Sequence, residues 1–327
     1  MHEKILSDFF RIEIPLPNSP LKSLNSYLIK GPDRSLIIDT GMNREECLAP
    51  MLSSLEELHV DLDRTDLFIT HVHADHLGQA GKLAKAGSKV YFNELEAGMI
   101  NAGTERAEER FKKFFNLYLS NGFPEDELNQ AMANHPGRRY RPRHELKFSF
   151  LKDEDTIDVG EYSFRVIETP GHSPGHLCLY EDNKKILVSG DHILFDITPN
   201  ITCWAELENP LKAYLESLEK VSTLDVNLVL PGHRNGWTDH KKRITELQNH
   251  HKSRLNEVLV ALGKGDKSAW DIAPHIKWDI NVSSWERFPV VQKWFALGET
   301  LAHITFLEAD GRVGRRSEDS KIVYFLN

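Results

Sequence analysis

The sequence predicts an α+β fold: a large, β-rich layered domain over residues 1–238, followed by a small helical domain over residues 239–327. Apolar runs of strand length recur through the first part, and five of them end in a turn carrying Asp or His, at Asp39, His71 to His76, His172, Asp191 and His233. The length of 327 residues exceeds the usual size of one domain. Layered folds of about 200 to 250 residues do form one domain, which leaves room for a small appendage. Beyond Thr238 the pattern turns helical and closes on a short hairpin.

Taken in order, Phe9 to Leu16 alternates as a half-buried strand does, and Leu24 to Lys30 and Ser35 to Asp39 flank a Gly31-Pro32-Asp33 turn. Asn43 to Leu58 reads as a helix with Asn43 as its N-cap, since a short polar side chain there can satisfy a free amide of the first turn. Leu67 to Thr70 is a strand, Gly78 to Ala86 a short helix and Lys89 to Phe92 a further strand. Residues 94–143 form a helical insertion, with Phe111, Phe114, Phe115 and Leu117 set among charges. Such an insertion either caps a site or decorates the surface with a small core of its own. Phe148 to Leu151, Thr156 to Val159 and Tyr162 to Ile167 are strands, and Leu177 to Tyr180 with Lys185 to Ser189 make a hairpin. Pro210 to Val221 is a helix and Asn227 to Leu230 a strand. In the tail, Asp239 to Leu262 and Ser268 to Ile276 are helical. Val290, Trp294, Leu297, Leu301, Ile304 and Leu307 then form one apolar stripe at spacings of three and four. Arg312 to Gly314 and Ile322 to Leu326 follow as a hairpin, which is the element order of a winged-helix module.

A formal charge of −9 argues against a general nucleic-acid coat and gives no reason to expect an anionic membrane as partner. Cys47, Cys178 and Cys203 are too few and too scattered for a disulfide framework. The N-terminus lacks an apolar core of signal-peptide length, and no stretch approaches 18 uncharged apolar residues. These features predict a cytoplasmic protein in a reducing compartment. The most basic stretch runs from Gly137 to His144. Arg138, Arg139, Tyr140 and Arg141 are its candidate substrate contacts, because Arg offers a planar donor fork to a carboxylate or phosphate. Solvated or ion-paired arginines are the other reading.

The chemistry concentrates where the strand ending at Thr70 meets a turn. His71-Val72-His73-Ala74-Asp75-His76 has the form H-x-H-x-D-H. In an extended segment residues i and i+2 point the same way, so His71 and His73 present imidazoles to one ion from one side. Asp75 and His76 lie where the chain enters a helix and can serve a second point a few ångströms away. His172, Asp191 and His233 complete a set of seven candidate metal ligands.

The order H-x-H-x-D-H, H, D, H closely resembles the metallo-β-lactamase superfamily of dinuclear hydrolases over about residues 9 to 237. Asp39-Thr40-Gly41, Thr169 to His176, Ser189-Gly190-Asp191 and Pro231-Gly232-His233 are also similar to that family's motifs. The resemblance implies a four-layer αβ/βα sandwich with the site at one edge between two sheets. By position it implies that His71, His73 and His172 hold one metal, that Asp75, His76 and His233 hold the other, and that Asp191 bridges. Zn is the metal expected, with Fe and Mn as alternatives for such N/O donors. Two cations about 3.5 to 4 Å apart lower the pKa of a bridging water and polarise the substrate oxygen, so the implied chemistry is hydrolysis by that hydroxide, with Asp75 orienting it. Asp39 resembles the aspartate that braces the histidine loop. His176 and His192 flank ligands and act as supporting hydrogen-bond partners, substrate contacts or structural residues. His240 and His303, on helices, read as packing or surface histidines.

Asp191 stands where metallo-β-lactamases with the full first motif usually carry cysteine or lack a bridging ligand, which disfavours β-lactam hydrolysis. Its presence is similar to glyoxalase II, lactonases, RNA-cleaving lactamase-β-like enzymes and persulfide dioxygenases. The tail does not match the basic helical segment with which glyoxalase II recognises glutathione. The expected function is therefore hydrolysis of a small-molecule ester, thioester or lactone. An endoribonuclease is the first alternative, because RNA-cleaving relatives carry a similar tail. Against it, clustered Lys and Arg are what phosphate contacts need. A mononuclear-iron persulfide dioxygenase, using His71 or its neighbours with His172 and Asp191, is the second. The expected partner is a small molecule, and homo-oligomerisation is left open.

Overall fold

The computed structural model describes residues 2–101, 103–142, 146–236, 238–280, 282 and 284–327, and the end of the basic stretch, Arg143 and His144, lies outside them. One sheet is laid down in chain order. β1 (His2–Leu6), β2 (Phe9–Pro15), β3 (Ser23–Ile29) and β4 (Ser35–Ile38) form an antiparallel meander. β5 (Thr65–Phe68), β6 (Val90–Asn93) and β7 (Ser149–Leu151) then add parallel to β4. Parallel neighbours need crossovers, and these are helical. α1 (Glu45–Glu57) joins β4 to β5, α2 (Ala74–Leu77) and α3 (Ala80–Leu83) join β5 to β6, and the insertion joins β6 to β7. In the second sheet β8 (Thr156–Val159), β9 (Tyr162–Glu168), β10 (Leu177–Glu181) and β11 (Ile186–Gly190) are antiparallel, and β12 (Leu228–Pro231) lies parallel to β11 after α8 (Pro210–Ser222).

Adjacent strand residues feed different layers, as the two-residue side-chain period requires. Ile38, Phe68, Leu179 and Val188 pack in the core between the sheets. Their neighbours Ile37 and Leu67 face outward onto Cys47, Met51 and Leu55 of α1. Cys178 and Leu187 face outward onto Leu211, Tyr214 and Leu218 of α8. Helix, sheet, sheet, helix is the resulting order. Strands buried on both faces explain why several runs are apolar without alternation.

Three local expectations are corrected. The first strand expected is β2, yet β1 precedes it: it is an edge strand held by backbone pairing to β2, where no apolar pattern is required. α1 begins at Glu45, with Arg44 at the cap position, and Asn43 does not cap it. The Asn43 amide Nδ2 donates instead to the Arg141 carbonyl at 3.1 Å. The helix expected over Gly78 to Ala86 starts earlier and is split into α2 and α3, which puts Asp75 and His76 in the first turn of α2.

The insertion comprises α4 (Glu94–Asn101), α5 (Gly103–Ser120), α6 (Glu125–Asn134) and α7 (Pro136–Arg139). The tail comprises α9 (His240–Leu262), α10 (Ala269–Ile272), α11 (Val290–Ala309) and the hairpin β13 (Val313–Glu318) and β14 (Lys321–Leu326). Insertion and tail share one core: Tyr118, Phe123, Leu128 and Met132 pack with Val258, Ile272, Leu297, Leu301 and Tyr324. The Tyr118 ring stacks on Trp294 with centroids 4.1 Å apart. The apolar stripe of α11 is therefore only part of its buried surface, and Glu299, Thr300 and His303 are buried with it.

Candidate metal centre

Four turns at one rim of the two sheets bring the seven predicted donors together. His71 and His73 follow β5, Asp75 and His76 open α2, and His172, Asp191 and His233 follow β9, β11 and β12. His73 Nδ1 lies 2.9 Å from His71 Nε2 and 3.0 Å from His172 Nε2. His233 Nε2 is 3.5 Å from Asp75 Oδ2, and His76 belongs to the same group of donors. Asp191 reaches both groups: its Oδ1 is 3.5 Å from His76 Nε2, and its Oδ2 is 3.6 Å from His172 Nε2 and 3.5 Å from His233 Nε2.

The outer nitrogens fix which way the rings present their lone pairs. His172 Nδ1–H donates to the Asn200 carbonyl at 2.8 Å, and His233 Nδ1–H to the Ser23 carbonyl at 2.7 Å. His76 Nδ1 donates to Asp39 Oδ2 at 2.7 Å. The Thr70 hydroxyl donates to the same carboxylate at 2.8 Å, so it accepts from His71 Nδ1–H at 3.0 Å. Four Nε2 lone pairs are thereby aimed inward by acceptors behind the rings. Asp39, with φ of +58°, also accepts from the Thr70 amide at 2.9 Å.

These residues fit bound cations. His76 Nε2, Asp191 Oδ1 and His233 Nε2 are buried without a hydrogen-bond partner among the described residues. A tetrahedral ion with donors at about 2.1 Å sets them about 3.4 Å apart, close to the 3.5 and 3.6 Å that separate Asp75 and Asp191 from their imidazoles, whereas hydrogen-bonded nitrogen and oxygen approach to about 2.9 Å. The charge balance agrees. Burial, with neighbouring imidazoles, pushes His71 well below its usual range and His73 down to about 3, which leaves neutral donors. Burial also pulls on His233, but Asp191 and Asp75 outweigh it and hold the ring at about 10. Burial likewise opposes ionisation of Asp75, yet His233 and His76 bring that carboxyl down to about 2. The second group thus carries protons where it would otherwise carry a cation.

Glycine is required in Pro231-Gly232-His233 by crowding. A Cβ on Gly232 would sit 2.5 Å from Asp191 Oδ1 and 2.8 Å from His76 Cε1. Gly232→Ala is expected to displace both donors and lower metal affinity by about 10- to 100-fold, the range seen when the supports of a metal site are removed. Elemental analysis and a chelator-competition titration read this, and unchanged affinity would refute the crowding argument.

The other predicted residues lie as follows. His176 Nε2 accepts from the Asp191 amide at 3.1 Å, so it supports that turn. The His192 ring lies edge-on to Tyr214, with centroids 5.4 Å apart, and is outside the donor groups. Arg138 pairs with Glu108 and lies over the Phe111 ring, and Arg139 lies over Tyr140. The Tyr140 and Arg141 carbonyls accept from Asn43. Among the described residues no hydrogen bond or ion pair joins 138–141 to the seven donors. Three residues at the site escaped sequence reasoning. Glu96, pushed up to about 7 by burial, accepts from the Gly175 amide at 2.8 Å and anchors the loop bearing His172. Trp204 Nε1 donates to the His172 carbonyl at 3.1 Å, and its ring lies 5.8 Å from that of His73. Asn200 supplies the carbonyl behind His172. None belongs to a spaced motif, so nothing in the sequence marks it.

The sequence matches the family model described as Metallo-beta-lactamase superfamily over residues 21–233 and that described as Metallo-beta-lactamase-like, C-terminal domain over residues 255–327. It is 25% identical to the probable metallo-hydrolase YqjP of Bacillus subtilis, covering 97% of each chain. It is 27% identical to the human acyl-coenzyme A thioesterase MBLAC2, over 64% of this chain and 73% of that protein. Among solved structures, a metallo-β-lactamase family protein from Thermus thermophilus superposes with a TM-score of 0.83 at 28% identity, covering 99% of this chain and 100% of that one. A β-lactamase domain protein from Burkholderia ambifaria gives 0.82 at 26% identity, covering 100% of this chain and 93% of that one. Fold, donor arrangement and sequence match agree that the chain belongs to the metallo-β-lactamase superfamily and carries the C-terminal domain found with it.

Proposed function

We propose that this chain is a hydrolase that holds two divalent cations, with zinc the ion its donors suit best, and that it cleaves a small-molecule thioester, ester or lactone. The observation that carries the reading is the pair of donor groups joined through Asp191. His71, His73 and His172 hold one cation, Asp75, His76 and His233 the other, and Asp191 is shared. Bound there, the pair lowers the pKa of a water and polarises the substrate carbonyl. Asp75 accepts a hydrogen bond from the attacking water at Oδ1, the oxygen not facing His233, and so directs it at the acyl carbon. The acyl–sulfur or acyl–oxygen bond breaks, and the leaving group takes up a proton from solvent.

Trp204 favours an acyl substrate. Its ring lies beside His73, and Phe114 of α5 meets it edge-on at 6.4 Å, which makes an aromatic wall at the rim of the first donor group. The thioesterase name of the human relative points the same way. Arg139, exposed at the end of the insertion, suits an anionic part of the leaving group, and Arg138 would have to exchange Glu108 for it. An RNA substrate is less well served, because the tail arginines are engaged by acids: Arg316 by Asp266 at 2.7 Å and Glu318 at 2.6 Å, and Arg315 by Glu308 at 3.5 Å. In this reading the catalytic domain extends to residue 238, and the tail is a winged-helix-like module that packs against the insertion.

The test is a panel of acyl-coenzyme A thioesters, aryl esters and lactones given to protein loaded with two zinc ions. Turnover of at least one class is expected. Trp204→Ala should raise KM for longer acyl chains about tenfold, the equivalent of about 1.4 kcal/mol of lost aromatic contact, with kcat changed less. Loaded protein that turns over none of the three classes would overturn the reading.

A further inference from the structure

We infer that the C-terminal helices are part of the metal centre, through a buried chain in which Asn200 is the positioning residue for His172. The inference rests on His172 acting as a metal ligand. The Asn200 carbonyl that receives His172 Nδ1–H belongs to the long connection between β11 and α8, where no ladder fixes the backbone. Arg243 holds the Leu194 and Ile197 carbonyls earlier in the connection and Ile201 is buried in the core, but the polar tie at residue 200 itself is the Asn200 side chain. Its amide Nδ2 donates to Glu299 Oε2 at 2.6 Å and approaches the Phe295 carbonyl at 3.4 Å, both on α11.

Glu299 is held in turn. Its Oε1 pairs with Arg254 of α9, and the two side chains are 5% and 7% exposed. Arg254 Nη2 donates to the Lys277 carbonyl at 3.0 Å, and its guanidinium lies 4.5 Å from the centroid of Trp278. Each polar end of the chain therefore has a partner, from the imidazole aimed at the cation to a charge pair contributed by two tail helices. Burying such a pair costs desolvation that apolar residues of the same volume would avoid, so packing alone does not account for it. Direction does: a carboxylate locked by a guanidinium presents its second oxygen at one angle, and Asn200 follows. His251 and His303 lie beside Glu299 and with it could be read as a further ion site. That reading fails, because both Glu299 oxygens are already engaged, one of them by a guanidinium whose charge would repel a cation.

The chain predicts that Asn200→Ala, which keeps the carbonyl but removes its tether, lowers affinity at the first metal position by about 10- to 100-fold. The second position should change much less. Titration of the full-length, metal-free protein with Co(II) against a competing chelator reads both affinities, and the visible absorption of bound Co(II) reports the geometry at His172. Glu299→Gln, which cannot accept from Arg254 and Asn200 together, should shift the same spectrum in the same direction. Circular dichroism identifies any variant that fails to fold, and the other then decides. Wild-type affinities and spectrum in a folded Asn200→Ala or Glu299→Gln protein would overturn the inference. The wild-type protein in the same titration separates this from the metal assignment, since fewer than two bound ions there would count against the assignment instead. Neither result depends on the substrate.

Discussion

Asp191→Ala is expected to reduce bound metal from two ions per chain to one or fewer and to lower turnover by at least about 10³-fold, the equivalent of about 4 kcal/mol of transition-state stabilisation. Among the described donors Asp191 is the carboxylate whose oxygens stand within 3.6 Å of ring nitrogens from both groups, His172 on one side and His76 and His233 on the other. In the proposed two-ion centre its loss would remove one ligand from each ion and the charge that sets their separation. The remaining groups cannot substitute, because Asp39 already accepts from Thr70 and His76, and Asp75 faces His233. The main cores between and outside the sheets do not include Asp191, so the fold should survive. Elemental analysis with kinetics on the purified variant provides the check. Two ions and wild-type turnover in the variant would show that the shared carboxylate has been misassigned.

Removing the metals with a chelator should abolish activity, lower Tm and leave the far-ultraviolet circular dichroism nearly unchanged, with zinc restoring activity and Tm. A ligand that binds only the folded state at a thousand times its Kd adds about 4 kcal/mol of stability. In this protein the ions would join four turns that otherwise meet through buried side chains and a few backbone hydrogen bonds, such as Gly232 N–H to the Gly190 carbonyl at 2.8 Å. Protons on His76 and His233 offset part of the negative charge when cations are absent, which is why the metal-free protein should remain folded. A Tm indifferent to both chelator and zinc would mean that the centre binds no ion in the folded protein.

The legible part of this chain is local. His71 and His73 share a direction because they are two residues apart in extended chain, and the apolar runs read as strands because side chains alternate with the same period. Gly232 is legible as motif but not as cause: its need shows only when Asp191 and His76, from two other turns, are seen against it. Asn43 misleads because its short polar side chain suits a cap, while in the fold it reaches across 98 residues to Arg141. The insertion and tail read as separate bodies, because the sequence shows each as an amphipathic pattern but not that Tyr118 and Trp294 stack on one another.

Sequence alone determined most of the strands and the set of candidate donors, because each follows from spacing within one short segment or from a motif, and the family resemblance those motifs carry implied the sandwich. Tertiary structure decided which lone pairs face inward and what holds them there. Those answers come from acceptors on other strands and helices, Ser23 behind His233, Asp39 behind His76, and Asn200 with Glu299 behind His172, and no local spacing encodes a partner that only folding brings within hydrogen-bonding distance.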